Sequence, residues 1–202
     1  MNAVLFIRNV VESDYTTWKP LYLDYSKVWN VPITEDRLIR LWELLLSPKH
    51  STHGIAGCVD DSLIGFGHYI VSPCLFSTNI TCHLHDLYVS PGYRNRGFAG
   101  TMIQHIAETG RGEGWNSMRW QARKTNKSAQ KLYDKIAKRV PSQSEDEFIH
   151  YELELLPDAP RIEVLKSGIE STMPNQALDS TSFAGDAHCV AVASGGSGRE
   201  SA

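Results

Sequence analysis

His85-Asp86-Leu87-Tyr88-Val89, then Ser90-Pro91-Gly92-Tyr93, then Arg94-Asn95-Arg96-Gly97-Phe98-Ala99-Gly100: this run decides the fold. Its first part is apolar and β-prone, its middle is a turn, and its last part leads into a segment with helical spacing. A basic, glycine-bearing loop between a strand and a helix start suits a pyrophosphate. The free N–H groups of the first helical turn and the helix dipole both favour an anion there. Gly97 and Gly100 let the backbone approach phosphate oxygens, although a simple helix-start turn would use the same residues. No GxxxxGK[ST] run is present, and Gly110-Arg111-Gly112-Glu113-Gly114 follows a helical segment rather than a strand, so neither a P-loop nor a Rossmann fingerprint is indicated.

Upstream, Leu5 to Val10 reads as a first strand and Asp14 to Trp29 as helical turns with aromatic spacing. Thr34 to Leu46 reads as a helix with Leu38, Leu41, Trp42 and Leu45 on one face, stopped by Pro48. Gly54–Val59 and Ser62–Val71 are two strands joined by a tight turn at Asp60-Asp61, and Ile80–Val89 is the next. Downstream, Phe98–Glu113 is an amphipathic helix, Trp115–Ala122 a strand, Asn126–Lys138 a helix with Ala129, Leu132, Tyr133 and Ile136 inward, and Phe148–Leu156 a closing strand. The order β-α-α-β-β-β-α-β-α-β predicts a mixed α/β sheet, mostly antiparallel, flanked by helices. Residues 1–156 are expected to form one domain. From Pro157 the composition shifts to Ser, Gly and Pro, which predicts a flexible low-complexity tail over 157–202.

Bulk properties narrow the class. A net charge of -3 over 202 residues, with no Lys/Arg block interleaved with aromatics, gives no footprint for nucleic acid. No apolar run approaches the ~18 residues of a membrane span. The four cysteines, Cys58, Cys74, Cys82 and Cys189, form no CxxC pair and read as reduced thiols. The start Met1 to Arg8 makes a poor signal peptide. A soluble cytoplasmic protein is the expectation.

The residues resemble the GNAT superfamily of acetyl-CoA-dependent N-acetyltransferases. The strand Asp86-Leu87-Tyr88-Val89, the loop Arg94-Asn95-Arg96-Gly97-Phe98-Ala99 matching (Gln/Arg)-x-x-Gly-x-(Gly/Ala), and Asn126-Lys127-Ser128-Ala129-Gln130-Lys131-Leu132-Tyr133 matching Asn-x-x-Ala-x-x-Leu-Tyr carry the likeness, which extends over Val4 to Leu156. In detail they look most like the branch containing small-amine and fungal histone or D-amino-acid acetyltransferases. The chain departs from the family pattern where a Gly often follows the Tyr-containing turn: here stand Ala137 and the longer segment Lys138 to Glu147.

The resemblance implies a GNAT-like fold with acetyl-CoA as co-substrate and no metal. It implies a cofactor site at Leu87, Tyr88, Val89, Arg94, Asn95, Arg96, Gly97, Phe98, Ala99, Gly100, Asn126, Ala129 and Tyr133. Leu87 to Val89 would act through backbone groups on a splayed, often bulged strand. Asn126 reads equally as a helix N-cap. Tyr133, a core aromatic by its spacing alone, would protonate the leaving thiolate. Asp86 would attract a cationic amine or take its proton through water; a salt-bridged strand carboxylate is the plainer reading, and His85 is the alternative base. Strict alternation puts His85 and Asp86 on opposite faces unless a bulge intervenes.

His83 and His85 form a His-x-His pair without an evident third ligand, with His68 elsewhere, and Cys82 reads as a buried thiol rather than a nucleophile. Trp18, Trp29 and Trp42 read as core residues of the region that roofs the acceptor site in this family, one or two of them lining the amine pocket. Trp120 reads as packing.

The expected reaction is acetyl transfer to a primary amine of a small molecule (a polyamine, an amino acid or similar) by direct attack in a ternary complex. Acetylation of protein lysines and a non-catalytic acyl-CoA-binding module are the alternatives. A homodimer is expected only because many relatives dimerise.

Overall fold

A computed structural model describes residues 4–30, 32–75, 77–141 and 147–156. The expected tail over 157–202 lies outside the described residues. Among the described residues, eleven regular elements succeed one another: β1 (Phe6–Asn9), α1 (Tyr15–Trp29), α2 (Glu35–Leu46), β2 (Thr52–Val59), β3 (Ser62–Pro73), β4 (Ile80–Val89), α3 (Phe98–Glu113), β5 (Ser117–Arg123), α4 (Lys127–Ile136), β6 (Lys138–Val140) and β7 (Phe148–Glu154). The strands make one seven-stranded sheet in the order β1-β2-β3-β4-β5-β7-β6. All neighbours are antiparallel except β4 and β5. The mixed α/β architecture expected from the sequence is the one found.

Local chemistry explains the elements. Asp60 and Asp61 both take positive φ, 47° and 62°, the signature of the two-residue turn that matches strand twist. Thr34 caps α2 by accepting from Arg37 N–H, and Leu38, Trp42 and Leu45 are its buried face. Gly114, at φ 81°, ends α3. The expected helix over Asn126–Lys138 is shorter than its pattern. It stops at Ile136, and Lys138–Val140 instead forms a short strand on the edge beside β7. That strand is too brief and too basic to show a period of two.

Each face of the sheet carries its own core. α3 and α4 cover one face over Ile55, Ile64, Tyr69, Cys82, Leu84, Met102, Ile106, Met118, Trp120 and Tyr151. On the other, α1 and α2 cover Ala56, Cys58, Phe66 and Tyr88 with Trp18, Leu38, Trp42 and Leu45. Trp18 and Trp42 pack with ring centroids 4.8 Å apart, tilted by 37°, and belong to this core. The middle strands pack so closely that a Cβ on Gly65 would sit 2.6 Å from the Tyr88 carbonyl oxygen, so this position accepts only glycine.

Two irregularities in β4 shape the functional site. His68 pairs with Asp86, yet the next residue, Tyr69, pairs with Leu84, so His85 is an extra residue in a bulge. The bulge changes the phase of the strand: Cys82 and Leu84 pack on the α3/α4 side, and after it Leu87 packs there too, while Asp86 and Tyr88 are bonded to α1. Furthermore, β4 pairs with β5 only through Thr81–His83 and Ser117–Arg119. From Leu84 to Val89, β4 has no partner on that side, and the two strands part.

Candidate active site

The gap between β4 and β5 opens toward the loop after β4. Pro91–Tyr93 make one short turn, Asn95 (φ 60°) and Gly97 (φ 84°) take left-handed conformations, and α3 begins at Phe98. A Cβ on Gly97 would meet nothing within 4 Å, so glycine is needed there for its conformation rather than for space. The first N–H groups of any helix lack intrahelical acceptors. Those of α3 have no side-chain cap and no acidic residue in the first turn, which leaves a cradle for an anion. Ala99 and Gly100 keep it low, and Gly100 lies where a Cβ would be 3.3 Å from Leu132 of α4. Phe98 is buried and anchors the start of the helix.

The two loop arginines are partly occupied in shaping the loop. Arg94 Nε donates to the Val89 carbonyl at 2.8 Å, and its guanidinium lies over the Tyr88 ring. Arg96 donates to the Gly92 carbonyl at 3.0 Å and lies over Tyr93. Sequence reasoning gave them only a phosphate role; the structure adds this bracing of the loop. Asn126 is the N-cap of α4, its Oδ1 accepting from Ala129 N–H at 3.1 Å.

Tyr133 lies on α4, edge-on to Trp120 (5.6 Å, 75°) and Tyr151 (5.3 Å, 70°). Trp120 is the first residue of β5 beyond its pairing with β4, so Tyr133 packs where the strands begin to part. Burial, with a contribution from Tyr151, pushes its phenol up to about 12. It is therefore fully protonated at neutral pH.

On the opposite face, Asp86 is held by Tyr25 and His68, and His68 in turn by Trp18. Tyr25 donates to Oδ1 at 2.9 Å, and His68 Nδ1 lies 2.9 Å from Oδ2. Trp18 Nε1 donates to His68 Nε2 at 3.0 Å. Because the indole is only a donor, Nε2 must accept, which puts the imidazole proton on Nδ1 and aims it at Asp86. Burial pushes the Asp86 carboxyl up, but the bonds from His68 and Tyr25 outweigh it and hold the group below its ordinary value. Alongside, the Tyr88 hydroxyl donates to Asp24 and ties α1 to β4. His85, displaced by the bulge, is exposed. The role of His68 escaped sequence reasoning, which counted it only as a stray histidine. The phase break in β4, with Cys82 and Leu84 apolar before it and Leu87 and Val89 after, was the readable signal for the bulge.

Trp29 differs from Trp18 and Trp42. It stands at the end of α1, edge-on to Tyr25 (6.2 Å) and stacked on Phe148 of β7 (6.0 Å). Cys82 is fully buried, and burial pushes its thiol up to about 12, so it is no nucleophile. Among the described residues no group of three or more His, Cys, Asp or Glu could hold a metal ion.

Within the described residues, β4 parts from its parallel neighbour beside the uncapped start of α3. The Acetyltransferase (GNAT) family matches residues 15–137, more than half of the chain. The chain belongs to the GNAT family. It is 30% identical over 88 residues to a thialysine N-epsilon-acetyltransferase of Caenorhabditis elegans, a match covering 43% of this chain and 53% of that protein. The chain thus matches about half the length of this curated relative. Among solved GNAT structures, a ribosomal-protein-alanine N-acetyltransferase of Brucella melitensis is similar at a TM-score of 0.61 and 22% identity, over 71% of this chain and 98% of that one. The PaiA N-acetyltransferase of Thermoplasma acidophilum, solved with coenzyme A, is similar at 0.56 and 16% identity, over 75% and 99%. At these identities the solved structures speak for the fold. The family uses acetyl-CoA, and the open α3 amides and the free edge of β4 fit a pyrophosphate and an amide-bearing arm.

Proposed function

We propose that this GNAT protein acetylates a primary amine of a small molecule, with the amine and the cofactor meeting in the gap between β4 and β5. The observation that carries this reading is the gap itself, with Asp86 bonded to elements on one of its faces and Tyr133 packed on the other. Acetyl-CoA would supply the activated acetyl group. The α3 amides from Gly97 to Gly100 would hold its pyrophosphate. The free edge at Leu87 to Val89 would hold its amide-bearing arm and offer N–H groups to a developing oxyanion.

Asp86 attracts the ammonium form of the acceptor. An alkyl ammonium has a pKa of about 10.4, so the proton must leave before the nitrogen can attack. A carboxylate held ionised by two donors is a weak base but a strong electrostatic partner, suited to passing that proton to water. Tyr133 Oη is the hydrogen-bond donor toward the leaving sulfur. With a phenol near 12 and a thiol near ~8.5, complete transfer in the ground state is uphill by roughly 5 kcal/mol. Tyr133 therefore acts by hydrogen bonding as negative charge builds on sulfur, and the thiolate departs holding that bond and takes its proton from solvent. Holding both reactants in the gap supplies much of the remaining acceleration.

The test is thiol release from acetyl-CoA with polyamines, amino acids, aminoglycosides and a histone peptide as acceptors. Turnover with a small amine is expected. Turnover with the peptide alone would replace this reading with protein-lysine acetylation, and binding of acetyl-CoA without turnover on any acceptor would leave a non-catalytic module.

A further inference from the structure

Arg123 ends β5 on the side where Trp29 lies, with its guanidinium 4.6 Å from the Trp29 ring. Its Nε is buried and has no hydrogen-bond partner. Three other arginines reach carboxylates, Arg8 at Asp14, Arg119 at Glu152 and Arg139 at Asp134, while Arg94 and Arg96 reach loop carbonyls. Stacking on an indole satisfies the flat face of a guanidinium and leaves its N–H edge unsatisfied. A buried donor without an acceptor is costly, and the edge of a guanidinium matches the two oxygens of a carboxylate. Trp29 adds a second such donor. Its Nε1 is buried and, by donor–acceptor geometry, has no hydrogen-bond partner among the described residues.

The surroundings decide which anion fits. Trp29 stands edge-on to Tyr25 at 6.2 Å, and Tyr25 donates to Asp86. One pair of aromatic rings thus separates a guanidinium that meets no carboxylate among the described residues from the carboxylate assigned to the acceptor amine. An acceptor lying across Tyr25 and Trp29 meets negative charge at one end and positive charge at the other. A simple diamine would leave the Arg123 edge unmatched.

We propose that Arg123, together with the Trp29 indole, reads a carboxylate on the acceptor, so that the substrate is an amino-acid-like zwitterion. Two rings lie between the charges, so the reacting amine stands several bonds from the carboxylate: a side-chain amine of a diamino acid rather than an α-amine. This rests on the reading of Asp86 as the site of the acceptor ammonium.

Matched acceptors test it. Lysine and 1,5-diaminopentane share one stem and one terminal amine and differ by the carboxylate; alanine offers only an α-amine. With the full-length protein, kcat/KM for thiol release is expected to favour lysine over the diamine by roughly 10- to 100-fold. Alanine should be poor. Arg123→Gln should raise the KM for lysine by a similar factor while leaving the diamine and the KM for acetyl-CoA unchanged, and Arg123→Lys should recover part of the loss. Equal use of lysine and the diamine by the wild-type protein would overturn the inference whether or not any variant folds. An equal loss on both acceptors in Arg123→Gln would also overturn it and leave Arg123 a packing role under Trp29. Thiol release with neither acceptor but with another amine defeats this inference alone, whereas release with no amine at all defeats the acetyltransferase reading as well.

Discussion

The two halves of the site are built from different materials. The donor half, from Leu87 through the start of α3 to Asn126, consists largely of backbone: a free strand edge, two left-handed residues and uncapped amides. The acceptor half consists of side chains: Asp86, His68, Tyr25, Trp18 and Trp29, drawn from three separate elements. A backbone site needs only a few residues that permit a conformation, so it leaves a short contiguous pattern. A side-chain site is assembled by tertiary contacts and leaves residues scattered along much of the chain.

The sharpest way to break this division is Asp86→Asn. It should lower acceptor kcat/KM by about 10³-fold and leave acetyl-CoA affinity, measured by thermal shift, unchanged. A fall in acetyl-CoA affinity instead would show that the halves are not separable. Tyr133→Phe should lower kcat by about 10²-fold with little change in acetyl-CoA affinity; unchanged turnover would remove Tyr133 from the chemistry.

Gly97→Val attacks the donor half alone. Forcing a β-branched residue to φ 84° costs roughly 1–2 kcal/mol, so the acetyl-CoA KM should rise about tenfold while the amine KM holds.

Two substitutions at His68 sharpen the acceptor side by a few-fold difference. His68→Asn keeps an N–H near the Nδ1 position facing Asp86, whereas His68→Gln moves it toward the Nε2 position facing Trp18. The amine KM should suffer more in the glutamine variant; equal effects would make His68 a packing residue only. The smallest effect is on stability. The folded-state pKa of Asp86 lies below its unfolded value, so the ionised group stabilises the fold at neutral pH, and this contribution is lost as pH falls through the folded pKa. The Tm difference between wild type and Asp86→Asn should therefore shrink below about pH 4.

This contrast also sets how much could be read in advance. The order of elements apart from β6, the Asp60-Asp61 turn and the loop into α3 are local, and the sequence carries each within a window of a dozen residues. The resemblance implies a bulge somewhere in β4, and the change of parity of its apolar positions places it near His85. The bonds of Arg94 and Arg96 to loop carbonyls, the support His68 gives Asp86, and the unpaired edge of Arg123 all depend on what stands opposite in space. No spacing along the chain encodes those.

The short seam between β4 and β5 has a consequence for folding. Three paired residues on each strand, reinforced by Asn116, which accepts from Ile80 N–H and donates to the Ile80 carbonyl, are the ladder that fastens β1–β4 to β5–β7. Such a seam divides the sheet into two cooperative units of unequal size. Amide hydrogen exchange should resolve them, with β5 and β7 exchanging together through an opening that leaves β2 and β3 protected. Bound coenzyme A would then act as a clasp across the units, slowing exchange in the smaller one more than in the larger.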